Sequence, residues 1–296
     1  MFNVAYAARS LGIAVSLFLA TAAAAPTLAD QEIQTPQAPV VVVRSTSGLV
    51  SVVRGDAGVV RVLGSSATAT TFQMRSDNQG MMLPRGMGLP ARRFTLPGVR
   101  EGTMGVRIEN SGGDITIAVP QRVAAVLVRL DDGDAVLSDF RGPYVVVANR
   151  GSIDLRSLAG FGHVRTSSGR VTMTRVGGNL HVETAMGSVM GSEMLTERAE
   201  VKSQGGDIDW NFARVGGGPF RFSSGAGNVR VALNGEQAAN IDAQSTQGSV
   251  INRFSRTAAV RFRSPHAMSM SLRGGGPEIT AASRSGIVEV GPRPKP

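Results

Sequence analysis

Ile108-Glu109-Asn110-Ser111-Gly112-Gly113-Asp114-Ile115-Thr116-Ile117 is the stretch that decides the fold. It reads apolar, x, small polar, x, x, Gly, polar, apolar, x, apolar. Glycine frees the backbone for a turn of positive φ. The Asp, Asn or Ser after it ties the turn through its side chain, and a β-branched residue then starts a strand.

The same phrase returns along the chain. It recurs at Leu130–Leu137, Val147–Leu155, Val164–Met173, Val182–Gly191, Val201–Trp210, Phe222–Val231 and Ala243–Asn252. The anchoring glycines are Gly113, Gly133, Gly151, Gly169, Gly187, Gly206, Gly227 and Gly248, spaced by 20, 18, 18, 18, 19, 21 and 21 residues. A second set of turn signals falls between them, at Gly160, Gly162, Gly177, Gly178, Gly216–Gly218 and Asn234-Gly235. Each unit of 18–21 residues therefore holds two turns and two short strands, with no sustained helical period. A unit this small cannot bury its own apolar face, but stacked copies can. The chain is predicted to be all-β: a parallel β-solenoid, or β-helix, with two short strands per coil and coils about 4.8 Å apart. An antiparallel sandwich also spaces strands by about 8–12 residues, but it leaves the alignment of whole units unexplained.

Alternation assigns Ile115, Ile117, Ile153, Leu155, Val171, Met173, Ile208, Trp210, Val229 and Val231 to the inside. Gly191 and Asn252 break that series, so the strand is expected to shorten or bulge there. The solenoid is expected over 40–290. Val43–Val52 reads as its N-terminal coil, and Leu272–Ala281 and Ser283–Val290 as closing coils. Residues 30–39 read as a Pro-containing linker and 291–296 as a disordered tail. A Met-, Pro-, Gly- and Arg-rich excursion at 73–105 interrupts the coils. Long loops often carry function, so Arg85, Arg92, Arg93 and Phe94 are candidates for contacting a partner.

The 296 residues are 42% hydrophobic and 18% charged, enough apolar material for a packed core. The absence of cysteine excludes a disulfide scaffold, thiolate zinc sites, thiol catalysis and an acylated lipoprotein anchor. Residues 1–29 read as a cleaved signal peptide: Arg9 precedes an apolar, Ala-rich run, Leu11–Ala20 and Ala22–Ala25, that is too short to span a bilayer, with cleavage expected after Thr27-Leu28-Ala29 or inside the alanine run. Nothing later resembles a membrane span. The mature protein is therefore expected to be exported: periplasmic, secreted or on the cell surface. The net charge is +9, carried almost wholly by arginine, which favours an anionic glycan or lipid headgroup as envelope or extracellular ligand. Without a dense Arg run interleaved with aromatics, nucleic acid is not an expected partner.

The recurring Ser-x-x-Gly-x-Val/Ile units, with Gly-Gly-Asp-Ile at 112–115 and 205–208 behind a signal peptide, resemble the bacterial "putative adhesin" family of unknown-function domains. The resemblance covers Val40–Val290 less the excursion. It implies an exported β-solenoid, with no catalytic residues to carry over. The expected function is therefore non-enzymatic: an adhesin-like protein that binds or scaffolds in the cell envelope or outside it, with no cofactor. A β-helical polysaccharide-cleaving enzyme and a filament self-associating end to end through open terminal coils are the alternatives.

Several side chains are candidates for chemistry. His163 and His181 stand one unit apart and Glu200 follows in the same column; two imidazoles and a carboxylate suit a transition metal. Arg165, Glu183 and Lys202 form the next column, where alternating sign reads as a solvent-facing ladder. The methionines of the excursion, and His266-Ala267-Met268-Ser269-Met270, could hold Cu(I) through thioethers. Asp154, Asp209 and Arg230 share an outward column, but three coil steps would part the two acids by about 14 Å, beyond the ~5–9.5 Å of glycosidase pairs.

Overall fold

The computed structural model describes residues 30–36, 38–64, 66–74, 99–254 and 258–293, with the backbone of 80–83 and 92–95. The signal peptide expected at 1–29 lies outside these residues, as does Arg85. No helix occurs among the described residues, so none there is long and apolar enough to cross a membrane.

Each copy of the phrase forms one layer. The half before the glycine is a strand of a first sheet, and the half after it is a strand of a second. Nine parallel pairings join ten layer strands of the first sheet. In spatial order they are Met104–Asn110, Val40–Ser45, Ala125–Asp132, Tyr144–Arg150, Ala159–Ser168, Gly177–Thr184, the second half of Val189–Ser203, Phe220–Ser224, Glu278–Ser283 and Ala239–Ser245. The second sheet follows the same layer order from Ile115–Val119 and Val50–Arg54 to Val288–Pro292 and Val250–Asn252. The parallel solenoid with two strands per coil is therefore the fold, and the antiparallel sandwich is not.

The order of layers departs from the order of the chain at both ends. Val40–Arg54 is not an outer coil; it lies between the layer of Ile108 and that of Leu130. Glu278–Pro292 forms a single coil, inserted between the layers of Phe222 and Ala243. Leu272–Ala281 is not a coil at all. Ala267–Leu272 caps the first sheet antiparallel to Ala239–Ser245, and Ala258–Arg263 caps it in turn.

The other end is also closed by antiparallel strands: Ala67–Gln73 on the first sheet, Val59–Leu63 and then Asp30–Gln34 on the second. Asp30–Gln34 falls within the stretch read as linker. It is held because the Gln31 amide donates to the Ala67 carbonyl at 2.9 Å, Arg61 donates to Glu32 at 3.1 Å, and Ile33 packs on the core. The excursion begins and ends in strands and contains a hairpin pairing Gly80–Leu83 with Arg92–Thr95. Val288–Pro292 carries strand structure into the stretch read as tail.

The interior is a set of columns. Ile108, Val43, Val128, Val146, Val164, Val182, Val201, Phe222, Ala281 and Ala243 stack in register and are all buried. Facing them stand Ile115, Val50, Ala135, Ile153, Val171, Val189, Ile208, Val229 and Val288. Large residues sit over small ones. A side chain on Gly191 would meet the Trp210 ring at 2.8 Å, so the glycine is the space the indole occupies. The register also shifts between Gly191 and Met194, the irregularity expected at that break. Trp210 further packs on Phe222, with ring centroids 5.2 Å apart. Trp210→Ala should cost about 3–5 kcal/mol, read as a lowered midpoint in chemical denaturation.

A hydroxyl ladder stitches the Ser-x-x-Gly turns. Ser224 Oγ accepts from the Gly227 amide at 2.9 Å and donates to the Gly206 carbonyl of the preceding layer at 2.9 Å. Ser203, Ser283 and Ser245 do the same. Residues after the glycines also bond across layers: the Ser152 amide donates to Asp134 at 2.6 Å and the Asn228 amide to Asp207 at 2.7 Å. Ser224→Ala strands a buried donor and acceptor together and should cost about 1–3 kcal/mol. The outward Ser223→Ala should leave the denaturation midpoint nearly unchanged.

Candidate functional site

The outer face of the first sheet carries a second core. Val40, Ala125, Leu127, Val145 and Val147 point away from the solenoid interior, yet they are buried with Met74 and Val99, the two arms of the excursion. Phe72 packs there too, and the Arg107 guanidinium lies 5.4 Å from its ring centroid. A strand buried on both faces reads as an unbroken apolar run, and Val40–Val43, Ala125–Val128 and Tyr144–Ala148 are such runs. That signal was present in the sequence, and inside/outside alternation alone passes over it.

Further along the same face the columns turn polar. Val145 is followed in register by His163, His181, Glu200 and Arg221. Val147 is followed by Arg165, Glu183 and Lys202. The structure thus stacks His163, His181 and Glu200 on three successive layers, as their spacing predicts. The expectation of a solvent-facing ladder fails for the neighbouring column: Arg165 and Glu183 are each only 3% exposed, and Lys202 alone is open. The ladder reading assumed a bare sheet face. This one is covered up to Val147, and the burial continues across the next two layers.

The imidazoles of His163 and His181 stack, 4.8 Å between centroids and 19° from parallel. His181 Nε2 lies 3.0 Å from Glu183 Oε1, and its Nδ1 lies 3.2 Å from Glu200 Oε2. Glu200 also accepts from the Lys202 ammonium. That hydrogen bond, with a smaller contribution from His181 and against partial burial, holds the Glu200 carboxyl below its ordinary range. Glu200 is therefore a carboxylate at neutral pH. Ligand atoms of His163, His181 and Glu183 all lie within 4.8 Å of one another. Glu183 enters this group from the neighbouring column, two residues beyond His181, while Glu200 stands on the far side of the His181 ring. A carboxylate only accepts hydrogen bonds, and a neutral imidazole donates from one nitrogen only. With both ring nitrogens facing carboxylates, His181 needs either a second proton or a cation on its remaining lone pair.

The other candidates separate. Arg92, Arg93 and Phe94 lie on the strand Arg92–Thr95, opposite Leu83, Met82 and Met81. Met268 and Met270 are buried core residues, and His266 Nδ1 lies 2.5 Å from the Gly248 carbonyl, so this triplet does not form a thioether site. Asp154, Thr172, Met190 and Asp209 occupy consecutive layers. Asp154 is engaged by Arg156, and Arg230 by Glu289 at 3.9 Å.

A groove of about 620 Å³ runs along the edge where the chain returns from the second sheet to the first, lined by Arg54, Arg141 and Arg175 with Asp139 as its one acid. Arg122 is bridged to Arg141 on the neighbouring layer. Repeat spacing did not place Arg54 here, because its layer adjoins that of Ala135 in space but not in the chain.

All ten layers turn on a glycine, and in five of them that glycine closes a Ser-x-x-Gly; the profile of Toastrack DUF4097 matches residues 41–290. The chain belongs to the Toastrack family. Among solved structures, a putative cell adhesion protein from Clostridium sporogenes is similar at 8% identity and a TM-score of 0.24, over 89% of this chain and 99% of that one. Comparison with curated proteins returns no match. Toastrack membership accords with the adhesin-like resemblance read from the repeat.

Proposed function

We propose that this Toastrack protein is an exported, non-enzymatic adhesin-like component of the cell envelope that binds an anionic polymer or headgroup along its arginine-lined edge. The observation that carries this reading is the groove of about 620 Å³, where Arg54, Arg141 and Arg175 face a single acid, Asp139. Clustered guanidinium groups on a rigid edge suit phosphate or carboxylate groups repeated along a chain. Spacing supports binding over cleavage. Three strand steps of about 4.8 Å hold Asp154 and Asp209 about 14 Å apart, wider than the ~5–9.5 Å glycosidase range.

The test combines retention, chemistry and location. Purified protein should sediment with isolated envelopes. The triple variant Arg54→Glu, Arg141→Glu, Arg175→Glu should lose at least about tenfold in retention, and added salt should weaken the parent in the same way. No new reducing ends should form on envelope polysaccharides. Deleting residues 1–29 should leave the protein in the cytoplasm. Retention indifferent to both salt and the arginines would refute the reading.

A further inference from the structure

We infer that His163, His181 and Glu183 hold one divalent transition-metal ion of the zinc class, with Glu200 orienting His181 from behind. The ligand types are those zinc takes: two imidazoles and a carboxylate, with bonds of about 2.0–2.2 Å. Tetrahedral ligands at that range stand about 3.3 Å apart. His181 Nε2 and Glu183 Oε1 already stand at 3.0 Å, and the whole set lies within 4.8 Å. The two rings stack 19° from parallel, so binding requires them to turn until their lone pairs converge on the ion.

Two features separate this cluster from an ordinary polar ladder. First, metal-bound histidine characteristically donates its other ring nitrogen to a carboxylate, which fixes the tautomer and aims the lone pair. Glu200 stands in that place, 3.2 Å from His181 Nδ1. With the proton on Nδ1, the Nε2 lone pair faces Glu183 Oε1 at 3.0 Å, and a metal ion bound there takes the place of the second ring proton. Second, the site is walled. His163 is 5% and Glu183 3% exposed, while His181 keeps 15% of its side chain open as an entry side. Arg165 beside Glu183 and Lys202 on Glu200 balance the two carboxylates, so the cluster persists in the metal-free chain.

Binding places the ion on the lone pairs of both rings and on a Glu183 oxygen, and any proton held by those atoms leaves to solvent. The ion would tie the layer of His163 to the layer of His181, and through Glu200 to a third. It does not depend on the arginine edge and survives if that reading fails.

The test uses the full chain, stripped with chelator and titrated with zinc chloride by calorimetry. One zinc per chain is expected. His163→Gln and His181→Gln should each lose at least about a hundredfold in affinity. Glu200→Gln should weaken binding about 10–100-fold, the usual loss for an outer-shell partner. His266→Gln should bind as the parent does. Should a variant lose its circular dichroism, the parent decides alone through the ¹⁵N shifts of its three histidines. Zinc should move His163 and His181 and leave His266 in place. Absent uptake, uptake that survives the double His163→Gln, His181→Gln change, or a His181 ring still protonated on both nitrogens under saturating zinc would each overturn the inference.

Discussion

Gly169→Ala should lower stability by about 4 kcal/mol or more, whereas Gly113→Ala, at the same place in the repeat, should cost only about 1–2 kcal/mol. Both residues have positive φ, +124° and +85°, so the backbone penalty for an L side chain applies to each. Their surroundings differ. A Cβ on Gly169 would overlap the carbonyl oxygen of Gly151 in the preceding layer, and backbone cannot step aside. A Cβ on Gly113 finds only Ser66 Oγ, at 4.0 Å, because its layer ends the stack. The same carbonyl contact recurs at Gly133, Gly151, Gly187, Gly206, Gly227, Gly286 and Gly248, in the order of the layers. The last five, from Gly187 onward, lack the positive φ that a turn argument assumes. Gly187→Ala should therefore also be severe, although its φ demands nothing. Against a total stability of about 5–15 kcal/mol, a loss of 4 kcal/mol lowers the melting temperature by roughly 8–16 °C in a domain of this size. Denaturation midpoints of the three variants decide the matter. Equal losses at Gly113 and Gly169 would mean that turn conformation, and not contact between layers, selects the glycine.

That contrast marks what a repeat can and cannot disclose. The phase of the repeat was legible, because a turn residue, its hydroxyl and an inward β-branched residue recur together. Phase assigned the buried face of nearly every layer and brought His163, His181 and Glu200 into one column. The sequence of layers in space was not legible. Ile279 and Ala281 offer the same apolar face as Ile241 and Ala243, so composition does not say which pair sits against Phe220 and Phe222. Chain order then stands as the default, and it is wrong at both ends. Glu183 was missed as a site residue for a related reason. Its charge reads as solvent-facing only on a bare sheet, and burial of the outer face at Leu127, Val145 and Val147 comes from residues distant in sequence.

Ending the chain at Gly276 should abolish cooperative folding of the C-terminal half of the stack, while removing Asp30–Pro36 should cost only about 1–3 kcal/mol. If layers followed chain order, both cuts would trim outer elements and both would be mild. In the actual order the first cut removes an interior layer. Ile279, Ala281, Val288 and Val290 are fully buried between Phe220–Leu233 on one side and Ala239–Asn252 on the other. Three of them are large aliphatics, each worth about 1.5–3 kcal/mol on burial. The faces they leave behind, with Phe222 and Val231 on one side and Ile241 on the other, lose a similar amount. The total matches the whole stability of a typical domain. Closing the gap is the alternative open to the shortened chain, since Ile241 and Ala243 could take the places of Ile279 and Ala281. It fails one column over, where Asn252 would replace Val290 against Val231 and bury an amide without a partner. Asp30–Gln34, by contrast, lies at an edge, paired on one side only and partly exposed. Hydrogen exchange measured along both shortened chains discriminates. Protection should vanish from Phe220 onward in the first and persist through the core in the second. A chain ending at Gly276 with parental melting and full protection of Phe220–Leu233 would show that the inserted layer is dispensable and that the outer coils close on each other without it.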